Sequence, residues 1–442
     1  MASALDGQVH EIGHQLAESF PSRARHPVRA IDEKAMEITS SDAELRAALF
    51  RFVDVTPACR SLDDLAAHLA GFLGEVPERP PSLQAAMRMS STKAGRVALG
   101  AAAAAGVRHM SHRFIVGASP EDALRDLREL WQHGIASSVD LLGEATVTQA
   151  EADRYAERCA HALETLAEAA PRWPEREALE QDSIGPLPRA NVSVKVSALT
   201  PMLRPDAPER GREDAARRLR PLVARARELG AHLHIDMESV DALETTLELV
   251  FELLEEDPEV SAGVVLQAYL RDSPGHLDRI LEWSDDTGRR TPLVVRLVKG
   301  AYWDHEIVEA RQQGWSPPVF EVKAECDRNF ESLTRRLLDA RPLVRVAIAS
   351  HNLRSVSHAI ACNRAGGGED RDLELQVLRG LGDDLAYALA RTGFRVRAYC
   401  PVGELVAGMA YLVRRLLENT SNESFLHEQA RGVALDELLA AP

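Results

Sequence analysis

IASSVDLL (135–142), NVSVKVSA (191–198), HLHIDM (232–237), GVVLQAY (263–269), PLVVRLVKG (292–300), VRVAIASH (344–351), LELQVLRG (373–380) and FRVRAYC (394–400) are eight short β-rich runs, set apart by amphipathic helical stretches. Strands that alternate with helices imply parallel βαβ units, and eight such units suggest closure into a barrel rather than an open, doubly wound sheet. The intervening helices are clear. DAARRLRPLVARARELG (214–230) ends in Gly230, and ALETTLELVFELLEED (242–257) follows Ser239 and Asp241 as candidate caps. The expected fold is an α/β chain with a (β/α)8 TIM-like barrel.

Outward from these runs the pattern changes. The first 130 or so residues lack strand-like runs and read as helices, for example DAELRAALFRFVDV (42–55) and EDALRDLRELWQHG (121–134), with the Pro-rich break VPERPPS (76–82) between groups. GRVALGAAAAAGVRHM (95–110) reads as an Ala-rich helix, since its glycines do not follow a strand as a cofactor loop requires. The expected division is a helical arm over 1–130, the barrel over 131–430 and a tail over 431–442.

The chain has 442 residues, 45% of them hydrophobic, and a formal net charge of −16, with acids interspersed among arginines. Such a surface is self-repelling and disfavours nucleic acid. Five scattered cysteines with no CxxC suggest neither a disulfide framework nor a zinc site, and the reducing cytoplasm fits best. No apolar run reaches a membrane span, and MASALDGQVHEIGHQ lacks the basic and apolar regions of a secretory leader.

In a barrel of this kind chemistry concentrates where strands end, so late polar residues in the runs are the candidates. They are Asp140, Glu144, Lys195, Asp236, Glu238, Gln267, Arg296, Lys299, His351, Asn352, Gln376, Arg379 and Tyr399. Any one of them alone reads equally well as a structural ion pair; the array is what points to a site. His232 and His234 share one strand face, as a binuclear metallohydrolase would need, but no second HxD or HxxH cluster occurs late in the barrel. No nucleophile elbow or P-loop is present, and GLGDD at Gly380 lacks the third glycine of a dinucleotide fingerprint.

SVKVSAL (193–199), HIDMES (234–239), LQAYL (266–270), VRLVKGAYWDHEI (295–307), IASHN (348–352), AYCPVGE (398–404) and AYLVRRLLENTSNESFL (410–426), in this order, resemble the proline dehydrogenase family, in particular the catalytic domain of bifunctional proline utilization A proteins. The resemblance implies FAD-dependent oxidation of L-proline to Δ1-pyrroline-5-carboxylate, with electrons passed to a quinone and peripheral association at the inner face of the membrane. It implies substrate binding by Lys195, Asp236, Tyr399, Arg414 and Arg415, with Asp236, Arg296 and Tyr399 at the reacting centre. It implies flavin contacts from Gln267, Arg296, Val298, Lys299, Gly300, Ala301, Trp303, His351 and Asn352, more weakly from Met237, Gln376 and Leu378, and a part for Glu418 one turn beyond the arginine pair. One departure is Ser350, where many members carry Thr before the His.

These roles are chemically coherent. Arginines offer charge-assisted, bidentate bonds to a carboxylate; Lys195 adds a third positive charge that Asp236 could balance. Without the resemblance, Arg414 or Arg415 reads as a partner of Glu418 on a solvated helix face. Arg296 is suited to stabilise negative charge on the reduced flavin, and Trp303 offers a surface to adenine. Two other readings stay open on residues alone: a metal-dependent hydrolase built on His232 and His234, and a non-catalytic flavin-bearing domain of a larger polypeptide. Bifunctional relatives continue into an aldehyde dehydrogenase domain, whereas this sequence ends at ALDELLAAP (434–442), so that second step is not expected of it. No ribbon-helix-helix DNA-binding segment is evident at the N-terminus.

Overall fold

The computed structural model describes residues 2–20, 43–77, 84, 87–88, 91–143, 146–404 and 432–442. Each quoted run forms one strand: β1 Ile135–Leu141, β2 Asn191–Lys195, β3 His232–Asp236, β4 Ser261–Gln267, β5 Leu293–Val298, β6 Val344–Ala349, β7 Leu373–Leu378 and β8 Arg395–Val402. They pair in parallel in sequence order, and β8 returns to β1 along seven registered positions, Ile135 opposite Val396 through Leu141 opposite Val402. The (β/α)8 barrel expected from the spacing is the fold.

Strand periodicity sorts the side chains. Val192 and Val194, Leu233 and Ile235, Val295 and Leu297, and Val346 and Ile348 belong to the buried apolar layer under the surrounding helices. The alternate positions face the lumen, and in this barrel they are largely polar: Ser138, Ser193, Asp236, Arg296, Glu374 and Arg397 are buried and bond to groups on other strands, and His234 is buried and bonds to His232 on its own strand. Barrels of this fold usually fill the lumen with branched apolar residues. Here most lumen side chains need a polar partner inside the barrel, which ties strand register to electrostatics as well as to packing.

The helix Pro208–Glu228 is closed by Gly230 in the left-handed region (φ +60°), as its sequence suggested. The helix Val240–Glu256 does start after Ser239, but the Ser239 side chain makes no cap bond; the Val240 N–H donates instead to Glu306 Oε1 at 2.9 Å. A carboxylate from the helix after β5, two strands along the barrel, thus does the work expected of the local serine.

Helices Ala43–Val55, Leu62–Gly74 and Lys93–Phe114 share small apolar clusters of their own around Phe52, Leu65 and Val107. Helix Ala2–Glu18 lies against helix Leu353–Ala365 on the barrel flank, in the main core with Leu439 from the end of the chain. A Cβ on Gly13 would stand 2.5 Å from Leu439 Cδ2, so glycine there lets the two ends of the chain meet. Residues Val116 and Gly117 run beside the end of β8, with Val116 N–H donating to Pro401 O. Among the described residues no helix is long and apolar enough to cross a membrane.

Candidate active site

Five lumen side chains from five strands converge at the C-terminal mouth. Lys195 ends β2 and donates to Asp140 Oδ1 of β1 at 2.5 Å. Its ammonium stands 3.3 Å from the Tyr399 hydroxyl and 3.7 Å from Asp236 Oδ2. Asp236, the last residue of β3, accepts from Arg296 Nη1 at 2.6 Å on one oxygen and from the Tyr399 hydroxyl at 2.6 Å on the other. The Arg296 guanidinium lies 5.4 Å from the centre of the Tyr399 ring. Lys195, Asp140, Asp236 and Arg296 are all buried. Two cations thus face two carboxylates in a low-dielectric pocket, where each charge depends on the others to remain there.

The electrostatics follow from that arrangement. Burial works to lower the Lys195 pKa, but Asp140 and then Asp236 outweigh it and hold the ammonium above its ordinary value. Burial, and behind it Asp140 and Asp236, push the Tyr399 phenol well up, so it stays protonated. Burial raises Glu238, against the opposing bonds from Ser197, whose hydroxyl donates at 2.7 Å, and the nearby Lys195.

Beside this cluster, β4 and β5 supply a second set. Gln267 donates to Glu238 O at 2.9 Å, while its buried Oε1 has no partner among the described residues. Past the strands the backbones stay paired, with Ala268 and Tyr269 N–H donating to Val298 and Lys299 carbonyls. Gly300 has φ +137°, and a Cβ there would lie 2.4 Å from the Tyr269 ring; only glycine can turn the chain so closely over that ring. Ala301 and Trp303 are exposed beyond the turn, and Trp303 Nε1 donates to Phe320 O at 2.8 Å. Met237 is buried in the main core. Lys299 is held by Asp327, which Lys323 also contacts at 2.6 Å. On the far side of the mouth, His351 Nε2 accepts from Leu378 N–H at 2.9 Å, and Asn352 caps the following helix through Ser355 N–H.

The structure therefore groups most of the expected site residues, with some differences. Lys195 has Asp140 as its nearest partner rather than Asp236; Asp140 stood among the strand-end candidates without a role. Period two puts Ser138 and Asp140 on one face of β1, and that face meets Lys195 and Arg296. Gln376 is turned away from the mouth cluster: its amide donates to Glu374 Oε1 at 2.5 Å, and it lines a small cavity with residues from the N-terminal ends of the strands. His232 and His234 lie in that lower half, 3.2 Å apart, with Ser261 as the third partner. Burial, followed by Arg397, depresses His232 to about 3. Cys59, one of the five cysteines whose spacing carried no metal motif, lies near Asp64 and His68 in the helical region; His68 Nδ1 also bonds the Asp64 carbonyl at 3.0 Å. Arg414, Arg415, Glu418 and Glu144 lie outside the described residues.

Comparison with known proteins places this geometry in a family. The proline dehydrogenase family model matches residues 123–428, and a proline utilization A N-terminal domain model matches residues 6–114. The bifunctional protein PutA of Escherichia coli is 33% identical over 351 residues, 76% of this chain and 25% of its own length. Proline dehydrogenase of Deinococcus radiodurans is 30% identical over 318 residues, covering 72% of this chain and 89% of its own. A crystal structure of proline utilization A from Bdellovibrio bacteriovorus inactivated by N-propargylglycine superposes with a TM-score of 0.90 at 34% identity, over 99% of this chain and 44% of that one. The chain spans about a quarter of the length of the curated PutA relatives it matches. With the family match running through all eight strands and the mouth cluster they carry, this chain belongs to the proline dehydrogenase family.

Proposed function

We propose that this chain oxidises L-proline to Δ1-pyrroline-5-carboxylate with FAD as cofactor and a quinone as electron acceptor, the first step of proline breakdown. The observation that carries the reading is the buried Lys195–Asp140–Asp236–Tyr399–Arg296 cluster at the strand ends. Family membership and the name of the Deinococcus relative supply the substrate class.

The mouth fits a flavin. Gln267 keeps an unsatisfied buried Oε1, Arg296 an unsatisfied Nε, and Gly300 a chain path that no side chain could occupy. On this reading Gln267, Arg296, Val298, Lys299, Gly300, Ala301, Trp303, His351 and Asn352 hold the cofactor, with lesser parts for Met237 and Leu378. Bound there, FAD supplies the hydride acceptor.

The remaining work belongs to the chain. Lys195 offers a buried cation to the substrate carboxylate, a charge-assisted bond worth about 1.5–3 kcal/mol; Arg414 and Arg415 are proposed, on the resemblance alone, to hold the same group. The ring carbon gives up a hydride equivalent and the nitrogen a proton, leaving C=N, so the amine must be neutral for transfer. Lys195 and Tyr399 both keep their protons at neutral pH, and neither can serve as the base that takes the amine proton. Tyr399 acts as a wall against one face of the five-membered ring, held in place by Asp236. Arg296 keeps positive charge fixed where charge collects on the reduced cofactor.

The test is optical. Purified protein should be yellow, with flavin absorbance that bleaches anaerobically on addition of L-proline. A colourless protein that takes up no FAD but carries stoichiometric metal would return the function to hydrolysis.

A further inference from the structure

The N-terminal half of the lumen holds charges that the mouth chemistry does not use. Arg345, Arg395 and Arg397 enter from β6 and β8, and each is at least nine-tenths buried. Asp182 answers two of them: it accepts from Arg345 Nε at 3.0 Å and from Arg395 Nη1 at 3.1 Å. Glu374 answers the third through a bidentate pair, 2.9 Å to both Arg397 Nε and Nη2, and its Oε2 also stands 3.8 Å from Arg395 Nε. Although burial opposes it, these arginines keep both carboxylates below their ordinary range, so both are ionised. His232 and His234 beside them are neutral at physiological pH, because burial and the arginines depress both. Three cations against two anions leave one buried positive charge unmatched in this group.

The same residues line a small, partly open cavity of about 20 Å³, among them Asn191, His234, Arg345, Glu374, Arg395 and Arg397. A water needs roughly 10–15 Å³ measured in this way, so the space takes one small species and is too small for a carboxylate or phosphate. Two buried nitrogens of lining residues have no hydrogen-bond partner among the described residues, His234 Nε2 and Arg395 Nε, the latter 3.8 Å from Glu374 Oε2, beyond hydrogen-bond length. Arg395 Nε can only donate. His234 Nε2 donates in the tautomer where Ser261 donates to His232 Nδ1 and His232 Nε2 donates to His234 Nδ1, a chain the 2.9 Å and 3.2 Å separations allow. Buried donors without acceptors are rare in folded proteins, and an unmatched buried charge is costly.

We propose that this cavity is a resident site for one small monovalent anion of chloride size, held by Arg395 and His234 at the N-terminal end of the barrel. Such an ion answers the unmatched charge and both orphaned donors together; a water answers only the donors. The site is separate from the mouth, linked to it by a polar file in which Ser138 donates to Asn191 Oδ1 at 2.7 Å and accepts from Arg296 Nη2 at 3.4 Å.

Bromide in place of chloride tests it directly. Crystals of the protein grown in bromide should show an anomalous peak inside the cavity, within hydrogen-bond reach of Arg395 Nε and His234 Nε2. In solution, with ionic strength held constant by gluconate, the unfolding temperature of the parent should rise with the logarithm of chloride concentration, and Arg395→Met should remove that dependence. If Arg395→Met fails to fold, the bromide signal of the parent decides alone. Water-like density with no bromide signal in the cavity overturns the proposal.

Discussion

The hydroxyl of Tyr399 donates to Asp236 Oδ2 at 2.6 Å while Arg296 donates to the other oxygen of the same carboxylate at 2.6 Å. One aspartate of β3 thereby holds both the Tyr399 phenol of β8 and the Arg296 guanidinium of β5. The phenol's position is therefore rigid, and its consequences for substrate choice can be measured.

Tyr399→Ser should open the space above a five-membered ring. Efficiency with L-proline should drop, while the ratio of efficiencies for trans-4-hydroxyproline over proline should rise by a factor of order ten, about 1.4 kcal/mol of differential transition-state binding. Steady-state kinetics with both substrates decide it. Equal losses for both would make Tyr399 a packing residue of the barrel rim.

Arg296→Met removes the short donor to Asp236 and leaves a buried carboxylate with less compensation, which should cost roughly 3–5 kcal/mol of stability. If the flavin lies where the mouth suits it, the variant should also show a lower flavin midpoint potential and slower reduction by proline. Potentiometry separates the two effects: a destabilised variant with the parental potential would confine Arg296 to holding Asp236.

Among the described residues, three histidines, His232, His234 and His358, are buried in the neutral form. Burial depresses His232 to about 3 and His358 to about 4, and His234 lies well below its ordinary value for the same reason. The unfolded chain takes up these protons below about pH 6.5, whereas the fold resists. Folded pKa values below the unfolded ones mean stability that is complete above pH 6.5 and lost as pH falls toward 4 and 3, by up to about 1.4 kcal/mol per pH unit for each group. Urea unfolding midpoints at pH 7.5, 6 and 4.5 should decline accordingly, and His358→Asn should flatten the decline. A midpoint constant over that range would mean the rings reach water.

Gly263 on β4 lies directly under the His234 ring: a Cβ there would meet His234 Nδ1 at 2.4 Å, Cε1 at 2.5 Å and the Val294 carbonyl at 2.8 Å. Gly263→Ala should destabilise by roughly 1–3 kcal/mol through overpacking. Adding His234→Ala removes two of the three contacts, so the double variant should recover part of the loss beyond additivity. Simple additivity in denaturant unfolding would show that the ring moves aside at no cost.

The barrel was legible in the chain because its signal is local. Eight β-rich runs, each followed by a helical stretch of the right length, carry parallel topology in their spacing, and Gly230 marks a helix end by backbone conformation alone. Motif order from SVKVSAL through AYCPVGE likewise identified the family before any geometry was known. Pairing was not legible, because partners across a lumen are set by strand stagger and by which strands face each other, neither of which is written in a single run. Asp140 could be placed at a strand end but not beside Lys195, 55 positions on; Gln376 could be placed on β7, but not its bond to Glu374, a carboxylate that Arg397 of β8 also engages. Ser239 had the composition of a cap, yet Glu306, 66 residues from the amide it serves, took the role. Local preference chooses the elements; burial in a shared low-dielectric lumen, where every charge must find its counterpart, chooses the partners.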